Sequence, residues 1–128
     1  MNTESTEALV DRLSRYGSLV EVGIGNRVDV AAGLAARGRD VIATDVYERE
    51  TPEGVRFVRD DVTDPAISVY RGADVVYARN CPPELQRPVA NAADTVDADC
   101  LFTTLGGDPV VVDATAETLP SDTLFILP

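Results

Sequence analysis

The stretch with the clearest chemical use is Glu21-Val-Gly-Ile-Gly-Asn26. The apolar run Ser18 to Val22 reads as a buried strand, and a helical pattern opens directly after the glycines. Strand, tight glycine turn and helix together bring bare backbone and a helix N-terminus up to a nucleotide-like ligand. Glu21 puts a carboxylate in the strand just before the turn, and Asp45 puts another at the end of the next strand. Asp60, Asp61 and Asp64 follow a third strand, and Asn80 follows a fourth. Ionised carboxylates accept hydrogen bonds from ammonium and hydroxyl groups, and an amide can meet a polar substrate atom. The chain has no histidine, so it can form no Ser-His-Asp triad, Cys-His pair or His-ligated metal site.

Other reactive residue types read more plainly. Asp60, Asp61 and Asp64 have the oxygen chemistry for a hard cation such as Mg²⁺, but in so acidic a chain they read as a solvated turn. Asp94, Asp97 and Asp99 fall at a helix end, where the dipole disfavours anions, and read as surface. Cys81 and Cys100 have neither redox nor ligand spacing. With no histidine to activate it, Cys81 reads as a small buried wall residue.

The elements that must position these residues follow from periodicity. Glu4 to Tyr16 reads as a helix with Leu9, Leu13 and Tyr16 on one face, ended by Gly17 in a left-handed turn. Arg27 to Arg37 is a second helix, stopped by Gly38. Strands are expected at 18–22, 40–45, 55–58, 73–78 and 100–104, with a short edge strand at 110–112 and a last strand at 123–127 on the far edge. Pro83 suits the first turn of a helix reaching about Val96, and Pro88 inside it predicts a kink or a late start near Gln86. Strands alternating with helices imply parallel pairing and right-handed crossovers. The fold class is therefore a single α/β domain over 1–128, a Rossmann-like, doubly wound, mostly parallel sheet of order 3-2-1-4-5 plus an edge strand. The topological switch between strands one and four gathers Gly23 to Asn26, Asp45, Asp61 and Asn80 around one crevice.

Composition narrows the setting. Net charge is −11, and all 11 basic residues are arginine. Lysine depletion with a carboxylate-rich surface suits solubility in strong salt, where self-repulsion is screened. At molar salt the Debye length is about 3 Å, so the charge leaves nucleic acid open as a partner, alongside a macromolecular or homo-oligomeric one. No apolar run is long enough for a membrane span, and the polar start Met1 to Glu7 carries no signal-peptide pattern. A cytoplasmic protein with no membrane partner is expected.

From Ser18 to Thr104 the chain resembles the S-adenosylmethionine-dependent methyltransferase fold, cut short, and a small archaeal family assigned to that superfamily. The motif that carries the resemblance is an acid, any residue, then Gly-x-Gly: Glu21, Gly23 and Gly25. The resemblance implies that the glycine backbone approaches the methionine part of the cofactor while Glu21 orders its ammonium. It also implies that Asp45 holds both ribose hydroxyls and that Asp61 meets the adenine amino group, with the Val62 N–H near the ring. Asp60 is the off-by-one alternative to Asp61. Methyltransferases acting on amino nitrogens end strand four in Asn or Asp, Pro, Pro, aromatic. Here the stretch is Asn80-Cys-Pro-Pro-Glu84, with one residue inserted and no aromatic. The full fold carries a helix and a strand pair after strand five, which this tail is read as lacking.

These residues leave three functions open. In the first, an S-adenosylmethionine-dependent methyltransferase, Asn80 is the catalytic candidate and Glu21, Gly23, Gly25, Asn26, Asp45, Asp61 and Val62 bind the cofactor. The second is an NAD(P)-binding domain, whose fingerprint asks for a third glycine where Val28 stands. The third is a non-catalytic binding or regulatory module of the same fold.

Overall fold

A computed structural model describes residues 3–120 and 122–128. Met1 and Asn2, the first residues of the expected leaderless start, lie outside the described residues. Among the described residues seven strands form one sheet: β1 (Ser18–Val22), β2 (Asp40–Asp45), β3 (Val55–Arg59), β4 (Val75–Ala78), β5 (Asp99–Phe102), β6 (Thr115–Leu119) and β7 (Asp122–Ile126). Their order is β3-β2-β1-β4-β5-β7-β6. The five strands β3 to β5 are parallel, and β7 and β6 run antiparallel beyond them.

The centre of the sheet is β1 beside β4. Val75, Val76, Tyr77 and Ala78 of β4 are all buried, as are Leu19 to Val22 of β1. Strands covered on both faces lose the apolar–polar alternation and read as continuous apolar runs. Helices α1 (Thr3–Leu13) and α2 (Asp29–Ala36) cover one face, with Leu13, Val30 and Leu34 packed on Leu19, Val41 and Val75. Helix α3 (Pro83–Thr95) covers the other, with Val89 and Ala93 on Val20, Val76 and Phe102. Gly33 of α2 sets the spacing to α1: a Cβ there would sit 2.8 Å from Val10 Cγ2.

The parallel order 3-2-1-4-5 is as the periodicity predicts; several local details differ. Helix α1 ends at Leu13 rather than Tyr16, and Gly17 is not left-handed. Gly17 instead leads into β1, its carbonyl accepting from the Asp40 N–H. Helix α3 starts at Pro83, so Pro88 imposes no late start. Residues 110–112 form no strand. Their backbone is claimed by the buried Gln86 side chain, which donates to the Pro109 carbonyl and accepts from the Val111 N–H. The edge strand is β6, held by Arg12 of α1 on Glu117 at 2.9 Å. The last strand, β7, lies inside the sheet between β5 and β6 rather than on its far edge. The strand pair after strand five is thus present, and among the described residues no helix follows β5. Among the described residues no helix is long and apolar enough to cross a membrane.

Candidate functional site

The glycine turn is stitched to the end of β2. The Gly23 and Ile24 N–H groups both donate to the Thr44 carbonyl, and the Gly25 N–H donates to Asp45 Oδ2 at 2.9 Å. Gly23 and Gly25 have φ of 69° and 56°, a conformation that L side chains rarely adopt. A Cβ on either would meet nothing within 4 Å, so space lies open over the turn.

Under that space lies Glu21, only 1% exposed. It lines a cavity of about 310 Å³ together with Gly23, Gly25, Asn26, Arg27, Arg79 and Asn80. Its Oε1 accepts a hydrogen bond from the Tyr77 hydroxyl on the neighbouring strand. Burial pushes the Glu21 carboxyl up to about 7; the Tyr77 hydrogen bond and the Arg79 charge only partly offset it. The phenol of Tyr77 is raised in turn by burial and by the Glu21 charge.

Arg79 closes the side of this cavity. Its Nη1 lies 2.7 Å from Asp29 Oδ1 at the start of α2, and Asp29 Oδ2 accepts from Thr6 of α1. Burial would raise the Asp29 carboxyl, but the Thr6 and Arg79 hydrogen bonds and the Arg79 charge bring it below its usual range. Asn80 stands next in the chain with φ 52°, its N–H on Thr103 Oγ1 at 2.9 Å. With its amide turned to satisfy its neighbours, the Asn80 carbonyl accepts from the Arg27 guanidinium.

The predicted site residues divide into two groups. Glu21, Gly23, Gly25, Asn26 and Asn80 share the cavity, and Asp45 joins them through Gly25. Asp45 is buried at 7% exposure: Oδ1 accepts from the Tyr47 N–H, and Arg49 Nε lies 3.5 Å away. Asp61 and Val62 do not line this cavity. Asp61 is exposed and accepts from the Thr63 N–H and hydroxyl, which hold its carboxyl below the usual range. The Val62 side chain is buried in the core cluster that also holds Val20, Val76 and Tyr70. Asp60, the alternative to Asp61, is taken up by the Ala66 N–H and the Tyr70 hydroxyl. Among the described residues, no three His, Cys, Asp or Glu side chains gather into a metal-binding group. Cys81 is buried, its thiol pushed by burial up to about 11.

Sequence reasoning missed Arg27, Asp29, Arg79 and Thr103. Two of them carried a signal, since Arg27 follows the glycine turn by two residues and Arg79 directly precedes Asn80. Val46 and Tyr47, directly after Asp45, are exposed at 47% and 66%, with the Arg49 guanidinium 5.5 Å over the Tyr47 ring.

A UPF0146 protein of Halobacterium salinarum is 56% identical over 115 residues, covering 89% of each chain. Another, from Archaeoglobus fulgidus, is 50% identical over 92 residues, 72% of this chain and 71% of its own. Among solved structures, a TehB-like SAM-dependent methyltransferase from Corynebacterium glutamicum superposes with a TM-score of 0.65 at 16% identity, over 98% of this chain and 86% of its own. An RNA methyltransferase from Salinibacter ruber, in complex with S-adenosyl-L-homocysteine, gives 0.66 at 13% identity, over 98% and 90%. At these identities the structures share the fold, a Rossmann-like, mostly parallel sheet. The family model of UPF0146, described as an uncharacterised protein family, matches residues 4–126, and the chain belongs to that family.

Proposed function

We propose that this protein binds S-adenosylmethionine in the crevice over β1, β2 and β4 and presents it for methyl transfer to an acceptor. The observation that carries the reading is Glu21. A carboxylate buried under an open glycine turn, with one phenol as its hydrogen-bond partner, is costly to keep ionised. Such a group is well placed to meet a cation entering from the cavity, and an α-ammonium fits that role. The Gly23 to Asn26 backbone lines the same space. Asp45 keeps lone pairs beyond its two backbone hydrogen bonds and can take ribose hydroxyls. The apolar surface of Val46 and Tyr47 suits a base, with Asp61 and the Val62 N–H assigned to its polar edge.

When bound, the cofactor supplies a methyl group already activated on a sulfonium. This chain then needs chiefly to orient the acceptor, an effect worth about 7–11 kcal/mol for well-aligned reactants. Asn80, fixed by the Thr103 contact and by the prolines that follow, is the side chain placed to do so. An NAD(P) cofactor is disfavoured. Val28 caps α2 and packs on the core, where the dinucleotide fingerprint uses a glycine.

The test is calorimetry in high KCl against S-adenosylmethionine, S-adenosylhomocysteine and NAD. NAD is expected to bind at least tenfold more weakly, about 1.4 kcal/mol. Equal or tighter NAD binding overturns the assignment. A second reading, binding without transfer, is favoured by one contact: the Asn80 carbonyl is already engaged by Arg27. Labelled cofactor offered to protein, RNA and small-molecule fractions of a cell extract separates the two. Binding without labelling of any fraction selects the non-catalytic module.

A further inference from the structure

Arg27, Arg79 and Asn80 line two cavities at once. One is the space over Glu21. The other, about 320 Å³, reaches Ser5 and Thr6 of α1, Asp29, Thr103 and Asp122. Among the described residues Arg27 makes no ion pair within 4 Å, and its guanidinium meets only the neutral Asn80 carbonyl there. Arg79 is anchored on Asp29 through one nitrogen, with its side chain 16% exposed, so its fork is preorganised with N–H groups to spare.

Of the two carboxylates in this lining, Asp29 is paired with Arg79 and held by Thr6, while Asp122 accepts the Thr123 N–H on Oδ1 and keeps its charge. Thr103 Oγ1, which accepts from the Asn80 N–H, still has a proton to donate. Two guanidinium groups beside a hydroxyl match an oxyanion, and planar forks bind carboxylate and phosphate in the same two-point manner.

We infer that the second cavity receives the oxyanion, carboxylate or phosphate, of a small-molecule second ligand. This rests on the reading above, in which that ligand is the methyl acceptor. Arg79 is the fixed arm of the site and the exposed Arg27 the arm that turns toward it. An anion that takes Arg27 also frees the Asn80 carbonyl, so the contact that now occupies Asn80 gives way when the correct ligand arrives.

The experiment follows the arginine Nε–H signals by NMR while inorganic phosphate or acetate is titrated in, with and without S-adenosylhomocysteine, at the lowest KCl that keeps the fold. Saturable shifts of Arg27 and Arg79 with at least one anion are expected, weakened at least tenfold in Arg27→Ala. The inference is overturned if neither anion moves these signals, or if Arg27→Ala responds like the parent protein. It is also overturned if Arg27→Ala loses S-adenosylhomocysteine affinity while the parent shows no anion response, which would give Arg27 to the cofactor's own carboxylate. Failure of S-adenosylhomocysteine to bind the parent protein overturns the functional reading instead, and the titration without it still decides the anion site.

Discussion

Glu21 and Tyr77 face each other as register partners on β1 and β4, and the Tyr77 hydroxyl donates to the Glu21 carboxylate across 2.6 Å. The pair sits in the middle of the sheet, beneath the point where the two strands diverge toward different helices. Holding a carboxylate there costs stability, and that cost is measurable.

Glu21 has a folded-state pKa of about 7, above its ordinary 4.5. Its contribution to stability is therefore complete below pH 4.5 and is lost as pH rises through 7, a change on the order of 3 kcal/mol. Glu21→Gln keeps an oxygen for Tyr77 and removes the charge. The variant is expected to melt higher than the parent at pH 8.5, with a smaller difference at pH 5.5, and to bind S-adenosylhomocysteine more weakly. Melting curves at the two pH values check the first half, and calorimetry the second. A variant no more stable at pH 8.5 than the parent would remove the buried-charge argument.

Asp45 ties the glycine turn and the chain after β2 together, through the Gly25 and Tyr47 N–H groups. Asp45→Ala is expected to weaken S-adenosylhomocysteine binding by about 1.5–3 kcal/mol, the range for hydrogen bonds to a charged group. It should also lower the melting temperature, because two N–H groups lose their acceptor. Unchanged affinity would show that the end of β2 does not hold a ribose.

Gln86, fully buried on α3, stands in for a missing strand by binding both Pro109 and Val111. Gln86→Ala leaves that backbone unsatisfied, at about 1–3 kcal/mol for each lost partner. Denaturant unfolding measures the loss. Faster hydrogen exchange at Val111 should accompany it.

Salt gives a fourth expectation. With net charge −11 and no lysine, cations must screen carboxylate repulsion, and the melting temperature should rise from low to molar KCl. A flat or falling curve over that range would assign the acidic surface some other cause.

The parallel half of the fold was legible because apolar runs, glycines and prolines punctuate it in order. The edge was not. Thr115-Ala-Glu-Thr-Leu119 is polar and half-exposed, so nothing in its pattern separates an edge strand from a loop. Val110 to Val112 carries the stronger strand pattern, but Gln86, 25 residues before Val111, bonds its backbone instead. Of the acids expected around the crevice, Glu21 and Asp45 lie at the glycine turn, while Asp61, placed by the same rule, lies outside the cavity. Asp45 was expected at the rim of a strand, and it is buried because the Gly25 and Tyr47 N–H groups fold over it. The Glu21–Tyr77 contact spans 56 residues, and no local pattern shows it. Arg27 and Arg79 were hidden by number, since 11 arginines spread over an acidic chain read as surface charge until the topology brings two of them to one wall.

The position of β7 inside the sheet has a consequence for the growing chain. A ribosome delivers β6 before β7, yet β6 can join the sheet only along β7. Until residues 122–126 emerge, the outer edge of β5 stays open and β6 has no template. Hydrogen-bonding edges in that state invite pairing with a neighbouring nascent chain. The order of synthesis thus makes the hairpin a latch, which can close only after the segments of the five parallel strands have all been made.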